Sequence, residues 1–351
     1  MSSFAVRFSS VVLVATCLAL SACGSDSASA PVVTPVTAQV TVDASTSYGY
    51  LRLGTTSQVV SPVDPSTSAA WDLGLFATNV VVNGGAVGPG GVTAYCVCQN
   101  ATLPNAALSG LTAASELPAF EGVVAAQIPA DASFSSDQLT PAIAGWFSGT
   151  GATATAVPAR AWLLRKGTTT VTLGKFRVTA IASASAANAG QVTFEYALQS
   201  TVGGAFGASQ TAAVDLRGGP VYYDLTAGAA TTATGTWDLR ITGFEIRANG
   251  GVSGTGSVSA LVDNGMPYAS ITATYAATAP STVFKKDAYS GVFVSQPWYK
   301  YNITGTDNQI WPTFNVYLVK RGTDIYKVQL TSYYGVTGTS RQISVRYARL
   351  R

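Results

Sequence analysis

One pattern is written twice in this chain. Trp71-Asp72-Leu73 is followed twelve residues later by Asn83-Gly84-Gly85, then by Gly88 and Gly90. Trp237-Asp238-Leu239 is followed at the same distance by Asn249-Gly250-Gly251, then by Gly254 and Gly256. A constant offset of 166 residues across all three motifs implies a tandem duplication. Solenoid and propeller repeats run roughly 20 to 50 residues, so a period this long means two related domains rather than a stacked array. The correspondence continues downstream. Trp146-Phe147 matches Trp298-Tyr299, and the stretch from Trp162 to Thr168 matches that from Tyr317 to Thr323. Gly167 and Gly322 then fall where a hairpin would turn.

The period inside each copy is two. Phe176 and Val178 alternate with Lys175, Arg177 and Thr179; Val192, Phe194, Tyr196 and Leu198 alternate with Thr193 and Glu195. In the second copy Tyr326, Val328 and Leu330 oppose Lys327, Gln329 and Thr331, while Ile343, Val345 and Tyr347 oppose Gln342, Ser344 and Arg346. Half-buried antiparallel strands follow directly. Only 11% of the residues are charged, and Val, Thr, Ala, Gly, Tyr and Phe are abundant, which favours strands over helices. The expected fold is all-β: two related antiparallel β domains at 46–205 and 218–351, divided within the Gly-rich stretch 202–209. Residues 136–147 hint at a short helix, against which Pro141 argues.

Arg7 precedes the apolar run Val11-Val12-Leu13-Val14-Ala15, which closes on Leu20-Ser21-Ala22-Cys23-Gly24. A positive start, a short apolar core and small residues before a cut describe a secretory signal, too short to span a bilayer. Leu-Ser-Ala-Cys resembles a bacterial lipobox, in which residues 1–22 are removed and Cys23 is lipidated. The alternative is an ordinary signal peptide with an incidental cysteine. Residues 23–45 then form the lipidated end and a flexible tether, almost uncharged and unable to bury a core. Its reach is about 25 Å. Gly24 and Ser25 follow the cysteine with no Asp, resembling outer-membrane sorting in a Gram-negative cell. The expected location is the outer membrane, on its surface or periplasmic face.

Removing the leader takes Arg7 from 20 basic residues set against 17 acidic ones, so the mature chain is near neutral. From Lys285 to Arg351 there are ten Lys or Arg and three Asp. That excess could steer an anionic ligand or be a solvated face. It lacks the basic stripes and motifs of nucleic-acid binding. Cys96 and Cys98 remain as side-chain thiols. They point to one face of an extended strand and could form a local disulfide, offer two soft ligands, or simply be small apolar residues. The matching stretch of the second copy, 258–264, has no cysteine.

Asn-Gly-Gly-x-x-Gly-x-Gly invites a phosphate-loop reading, but such a loop needs a helix at its exit. Here Gly91-Val92-Thr93-Ala94-Tyr95 and Ser257-Val258-Ser259-Ala260-Leu261 continue as strands. Asn83, Gly84 and Gly85, with Asn249, Gly250 and Gly251, are therefore read as a turn requiring positive φ at several positions. Such a loop can still border a ligand. Asp72 and Asp238 are read as structural acceptors. With no histidine, no nucleophile motif and no paired carboxylates at recognisable spacing, an enzyme is not expected.

Taken in order, W-D-L, N-G-G-x-x-G-x-G, Trp298-Tyr299-x-Tyr301 and Tyr326-Lys327-Val328-x-Leu330-x-Ser332-Tyr333-Tyr334 resemble the HmuY-like family of bacterial surface lipoproteins. The resemblance spans nearly all of the mature chain, once per copy, and is better in the second. It implies a surface-exposed all-β fold and, for one branch, capture of haem through two histidines, in concert with an outer-membrane haem receptor. Without histidine, haem would be held by Met266, by Cys96 or Cys98, by a tyrosine, or without an axial protein ligand; Met, Cys and Tyr are all competent. The expected function is ligand binding without catalysis, with haem or another tetrapyrrole as the named cargo. The alternative is a non-haem module that grips a protein or glycan through Trp298, Tyr299, Tyr301, Tyr333 and Tyr334, taken as exposed anchors.

Overall fold

The computed structural model describes residues 37–55, 58–263 and 267–351. Cys23 and Met266 lie outside the described residues. The first copy contributes Ala38–Asp43 (β1), Gly49–Arg52 (β2), Gln58–Val60 (β3), Leu73–Phe76 (β4), Asn79–Val82 (β5), Thr93–Cys96 (β6), Gln138–Thr140 (β7), Phe147–Ser148 (β8), Thr155–Ala156 (β9), Ala161–Lys166 (β10), Thr172–Ala182 (β11) and Gln191–Leu198 (β12). The second contributes Gln210–Asp215 (β13), Val221–Asp224 (β14), Ala229–Thr231 (β15), Leu239–Thr242 (β16), Glu245–Ala248 (β17), Ser259–Asp263 (β18), Ala288–Ser290 (β19), Tyr299–Tyr301 (β20), Ile310–Pro312 (β21), Val316–Arg321 (β22), Asp324–Tyr334 (β23) and Ser340–Arg349 (β24). Each strand has its counterpart twelve strands later, and the fold is all-β.

The sheets draw on both copies. One five-stranded sheet runs β1-β24-β23-β22-β6, the other β13-β12-β11-β10-β18. The first copy's β1 thus pairs with the second copy's β24, Val40 opposite Val345 and Val42 opposite Ile343. The first copy's β6 closes the other edge against β22. The second copy returns the exchange with β13 on β12 and β18 on β10. One core therefore joins Leu51 and Leu73 to Trp298, Tyr317 and Val345; the other joins Trp146, Trp162 and Phe176 to Leu239 and Ile241. The chain passes between the two assemblies at β7 and β19, which pair with each other, Leu139 opposite Tyr289. Reciprocal ion pairs span the copies: Arg321 meets Asp72 at 2.5 Å and Lys166 meets Asp238 at 2.6 Å.

Several expectations change here. The sheets cross the boundary placed at 205–218: β13 lies inside it, and residues 199–209 only connect β12 to its neighbour in the same sheet. The stretch assigned to the tether contains β1, because Val40 and Val42 alternate in register with β24. Residues 136–147 form no helix; β7 is recruited by β19 and Pro141 follows it. The β23 strand is buried on both faces, not one. Residues 113–134 cover its polar side, where Lys327 Nζ donates to the carbonyls of Phe120, Glu121 and Val123 and Arg346 donates to that of Ala113. Part of the C-terminal positive charge is thus spent inside the fold. Gly167 and Gly322 do turn the β10–β11 and β22–β23 hairpins, with φ of +92° and +56°.

Candidate functional site

The repeated motifs build the walls of the site rather than its contents. Asp72 Oδ2 accepts from Leu53 N–H at 2.7 Å, and Asp238 Oδ2 from Leu225 N–H at 2.9 Å. Asn83 donates through Nδ2 to the Ser68 and Trp71 carbonyls and accepts at Oδ1 from Gly90 N–H at 3.0 Å. Asn249 repeats this with the Trp237 carbonyl and Gly256 N–H. Positive φ is confined within the motif to Gly85 and Gly251, at +62° and +64°. At Gly84, Gly88 and Gly90 the requirement is space: a Cβ would strike the Val92 backbone or the Asn83 side chain. The loops grip the crossover segments, Ala86 N–H reaching the Asp137 carbonyl at 2.9 Å and Val252 N–H that of Asp287 at 3.0 Å.

Where the first copy's small sheet (β3-β2-β4-β5) faces the crossover, it leaves a cavity of about 720 Å³. Tyr48 directly precedes β2 and Tyr50 lies within it, two residues on and on the same side. Their rings stand over Gly74, where a Cβ would crowd Tyr50 at 3.2 Å and Tyr48 at 3.3 Å. Tyr50 packs on Trp71 with ring centroids 4.8 Å apart, and Tyr48 on Phe76 at 5.5 Å. Asp137, Asp287 and Tyr289 from the crossover also line the cavity, with Phe293, Pro297 and Tyr299, and Tyr289 packs with Tyr48 and Tyr50. A largely apolar, aromatic hollow of this size with a few convergent polar groups is what a small-molecule site requires.

Its charge is one-sided. Asp64, Asp137 and Asp287 line the cavity, and no Lys or Arg is among its lining residues. Burial pushes the Asp137 carboxyl up to about 7, only partly offset by Val82 N–H, which donates to Oδ2 at 2.8 Å. Asp287 is also raised by burial, against donation from the Ala142 and Ala248 N–H groups and the nearby Arg247. Burial raises the phenol of Tyr48 to about 12 and raises Tyr50 and Tyr289 as well. At neutral pH Tyr48, Tyr50 and Tyr289 are uncharged and Asp137 is shared between its two forms.

This chemistry suits an aromatic ring system better than a metal ion. The chain has no histidine, and Cys96 and Cys98 are joined in a disulfide, so neither offers a thiolate. The strand ends at Cys96, and Cys98 turns back at φ +59°. Tyrosinate ligation through Tyr48, Tyr50 or Tyr289 is opposed by their raised phenol values. Of the proposed aromatic anchors, Tyr299 lines the cavity and Tyr301 is 58% exposed. Trp298 and Tyr333 are buried, Trp298 donating to the Thr78 carbonyl at 2.9 Å, and Tyr334 accepts from Ile310 N–H. Trp298 and Tyr333 serve as core and not as contact surface, while Tyr334 is half-buried against that core. Tyr48, Tyr50, Asp137, Asp287 and Tyr289 were not singled out from sequence. Tyr48-Gly49-Tyr50, a same-face pair set opposite a glycine strand, was the available signal.

The family model described as HmuY protein matches residues 219–347. No curated protein matches the chain. Among solved structures, an HmuY-like haem-binding protein of Bacteroides vulgatus is 13% identical, over 36% of this chain and 83% of that one, with a TM-score of 0.16. A lipoprotein of Bacteroides fragilis is 18% identical, over 36% and 80%, at 0.15. The apo HmuY analogue of Tannerella forsythia is 15% identical, over 37% and 88%, at 0.16. At these TM-scores the likeness carries no functional inference.

Proposed function

The chain is HmuY-like over residues 219–347, and from that premise we propose that it is a non-enzymatic capture protein whose cargo is a tetrapyrrole held by aromatic faces rather than through its iron. The carrying observation is the cavity floored by Tyr48, Tyr50 and Trp71. Stacked and edge-on rings contribute about 0.5–1.5 kcal/mol each beyond the area they bury, and several such contacts need no axial ligand. The acidic propionates of haem would lie toward solvent, away from Asp137 and Asp287.

The Leu20-Ser21-Ala22-Cys23 sequence supports lipid anchoring at Cys23 and a place on the outer membrane, with an outer-membrane haem receptor as the natural recipient. The first copy is read as a second HmuY-like unit that has exchanged strands with the first matched one. Adhesion to a protein or glycan loses Trp298 and Tyr333 as anchors because both are buried.

The test is a haemin titration of residues 24–351, which retain every described residue, followed by absorbance and repeated with Tyr50→Ala and Tyr289→Ala. Saturable binding weakened by both changes supports the proposal. No saturable binding, or binding indifferent to both, removes it and leaves the protein or glycan reading.

A further inference from the structure

Two buried carboxylates line the cavity, and the fold satisfies only one of them in full. Asp137 and Asp287 each stand directly before a crossover strand, β7 and β19. Val82 N–H donates to Asp137 Oδ2 at 2.8 Å, and Ala248 N–H donates to Asp287 Oδ2 at 3.1 Å. Asp287 Oδ1 also accepts, from Ala142 N–H at 2.8 Å. The reciprocal donor for Asp137 would be Val292 N–H, five residues after Asp287 as Ala142 is five after Asp137. The chain instead passes through Gly291 into the short helix Val292–Ser295. Among the described residues, no donor reaches Asp137 Oδ1. Gly291 gives that oxygen its room, since a Cβ there would strike it. Phe293 and Val294 of the same helix are cavity wall. Asp137 is thus 3% exposed and borders the hollow with one oxygen unmet by the protein. Buried polar atoms are nearly always paired, so such an oxygen marks a place for a donor from outside the chain.

Resting on the reading of this cavity as a tetrapyrrole site, we propose that Asp137 Oδ1 receives a pyrrole N–H of the cargo, so that the preferred tetrapyrrole is metal-free and open-chain. In haem the ring nitrogens hold the iron and carry no hydrogen. In a metal-free porphyrin the N–H groups point into the centre of a rigid ring, where a carboxylate beside the face meets them poorly. A linear tetrapyrrole keeps its N–H groups on a flexible inner edge and turns them toward one acceptor. Its imine nitrogen also takes up a proton. Asp64, Asp137 and Asp287, with no Lys or Arg among the lining residues, favour the resulting cation. The faces of Tyr48, Tyr50 and Trp71 attract the same charge. Its carboxylate arms leave from the outer edge, away from the acids. A charge-assisted bond of this kind is roughly twice as strong as a neutral one, and it is made only by a ligand that presents N–H.

The test titrates biliverdin, metal-free protoporphyrin IX and haemin against residues 24–351 and against Asp137→Asn at pH 8, read by tryptophan fluorescence. Asparagine keeps the acceptor for Val82 N–H and sets an N–H group where Oδ1 stood, a donor facing a donor. Biliverdin should bind the wild type at least tenfold more tightly than either porphyrin and lose at least tenfold in the variant. Both porphyrins, relieved of a like charge, should bind the variant as well or better. The absorbance of bound biliverdin should show the red-shifted band of its protonated form in the wild type and lose it in the variant. Biliverdin no tighter than the porphyrins, or a variant that weakens all three alike, overturns the inference and leaves the cavity standing as a tetrapyrrole site. Absence of saturable binding of all three by the wild type overturns the functional reading and this inference with it.

Discussion

Replacing Asp137 by Asn should make the protein more stable at pH 8 and change little below pH 4. The carboxyl is 3% exposed, and burial holds it at about 7 against an ordinary value of 3.8. Between those two values the folded chain keeps a proton that the unfolded chain has released. Stability therefore falls as pH rises through that window and is level above it. At about 1.4 kcal/mol per pH unit, the cost of the ionised group approaches 4 kcal/mol as an upper figure. Asparagine keeps the acceptor for Val82 N–H but never ionises. Asp287, Tyr48 and Tyr289 titrate in both proteins and cancel from the difference. Urea unfolding from pH 4 to 8, read by tryptophan fluorescence, should show the variant gaining on the wild type by a few kcal/mol across the window. A constant penalty from the new amide would shift the whole curve without changing that slope. A gap that does not vary with pH would refute the assignment of a buried, proton-holding Asp137.

Tyr50→Ala should weaken porphyrin binding about tenfold, the worth of one good ring contact, as read by quenching of tryptophan fluorescence. Affinity for an anionic porphyrin should rise as pH falls from 8 to 6 and Asp137 takes up its proton; Asp137→Asn should flatten that profile in the same titration. Asn83→Ala should destabilise by about 2–4 kcal/mol in urea, since it strands the Ser68 and Trp71 carbonyls and Gly90 N–H. Cys96→Ser with Cys98→Ser should leave porphyrin affinity unchanged, because the disulfide already withholds both sulfurs from any ligand; a lost or shifted absorbance band would contradict this.

How far the sequence could be read depends on the kind of information each feature carries. Alternation in the segments that became β11, β12 and β24 is local, and its buried faces came out as expected. Hairpin glycines such as Gly167 are likewise local. The structural role of Asn83 followed from its place before a strand and not a helix. Strand partnership is different. Val40 and Val42 specify a face, but nothing in them says that the other edge belongs to β24, 300 residues away, so the exchange between copies was not legible. The same limit hid the cavity. Tyr48 and Tyr50 come from one end of the first copy and Tyr289 from the crossover of the second, and only the exchange brings them together. Lys327 looked solvent-facing because its strand alternates, while the segment that covers it lies about 200 residues earlier.

The central claim is that the ring system is held and the iron is not. The direct test compares haemin with metal-free protoporphyrin IX on residues 24–351 under the same conditions. The account predicts saturable binding of both, near one equivalent and within a few-fold in affinity, with no spectral sign of an axial protein ligand. Tight binding of haemin alone, with a ligand-shifted Soret band, would contradict it and turn attention to Met266 as the iron ligand.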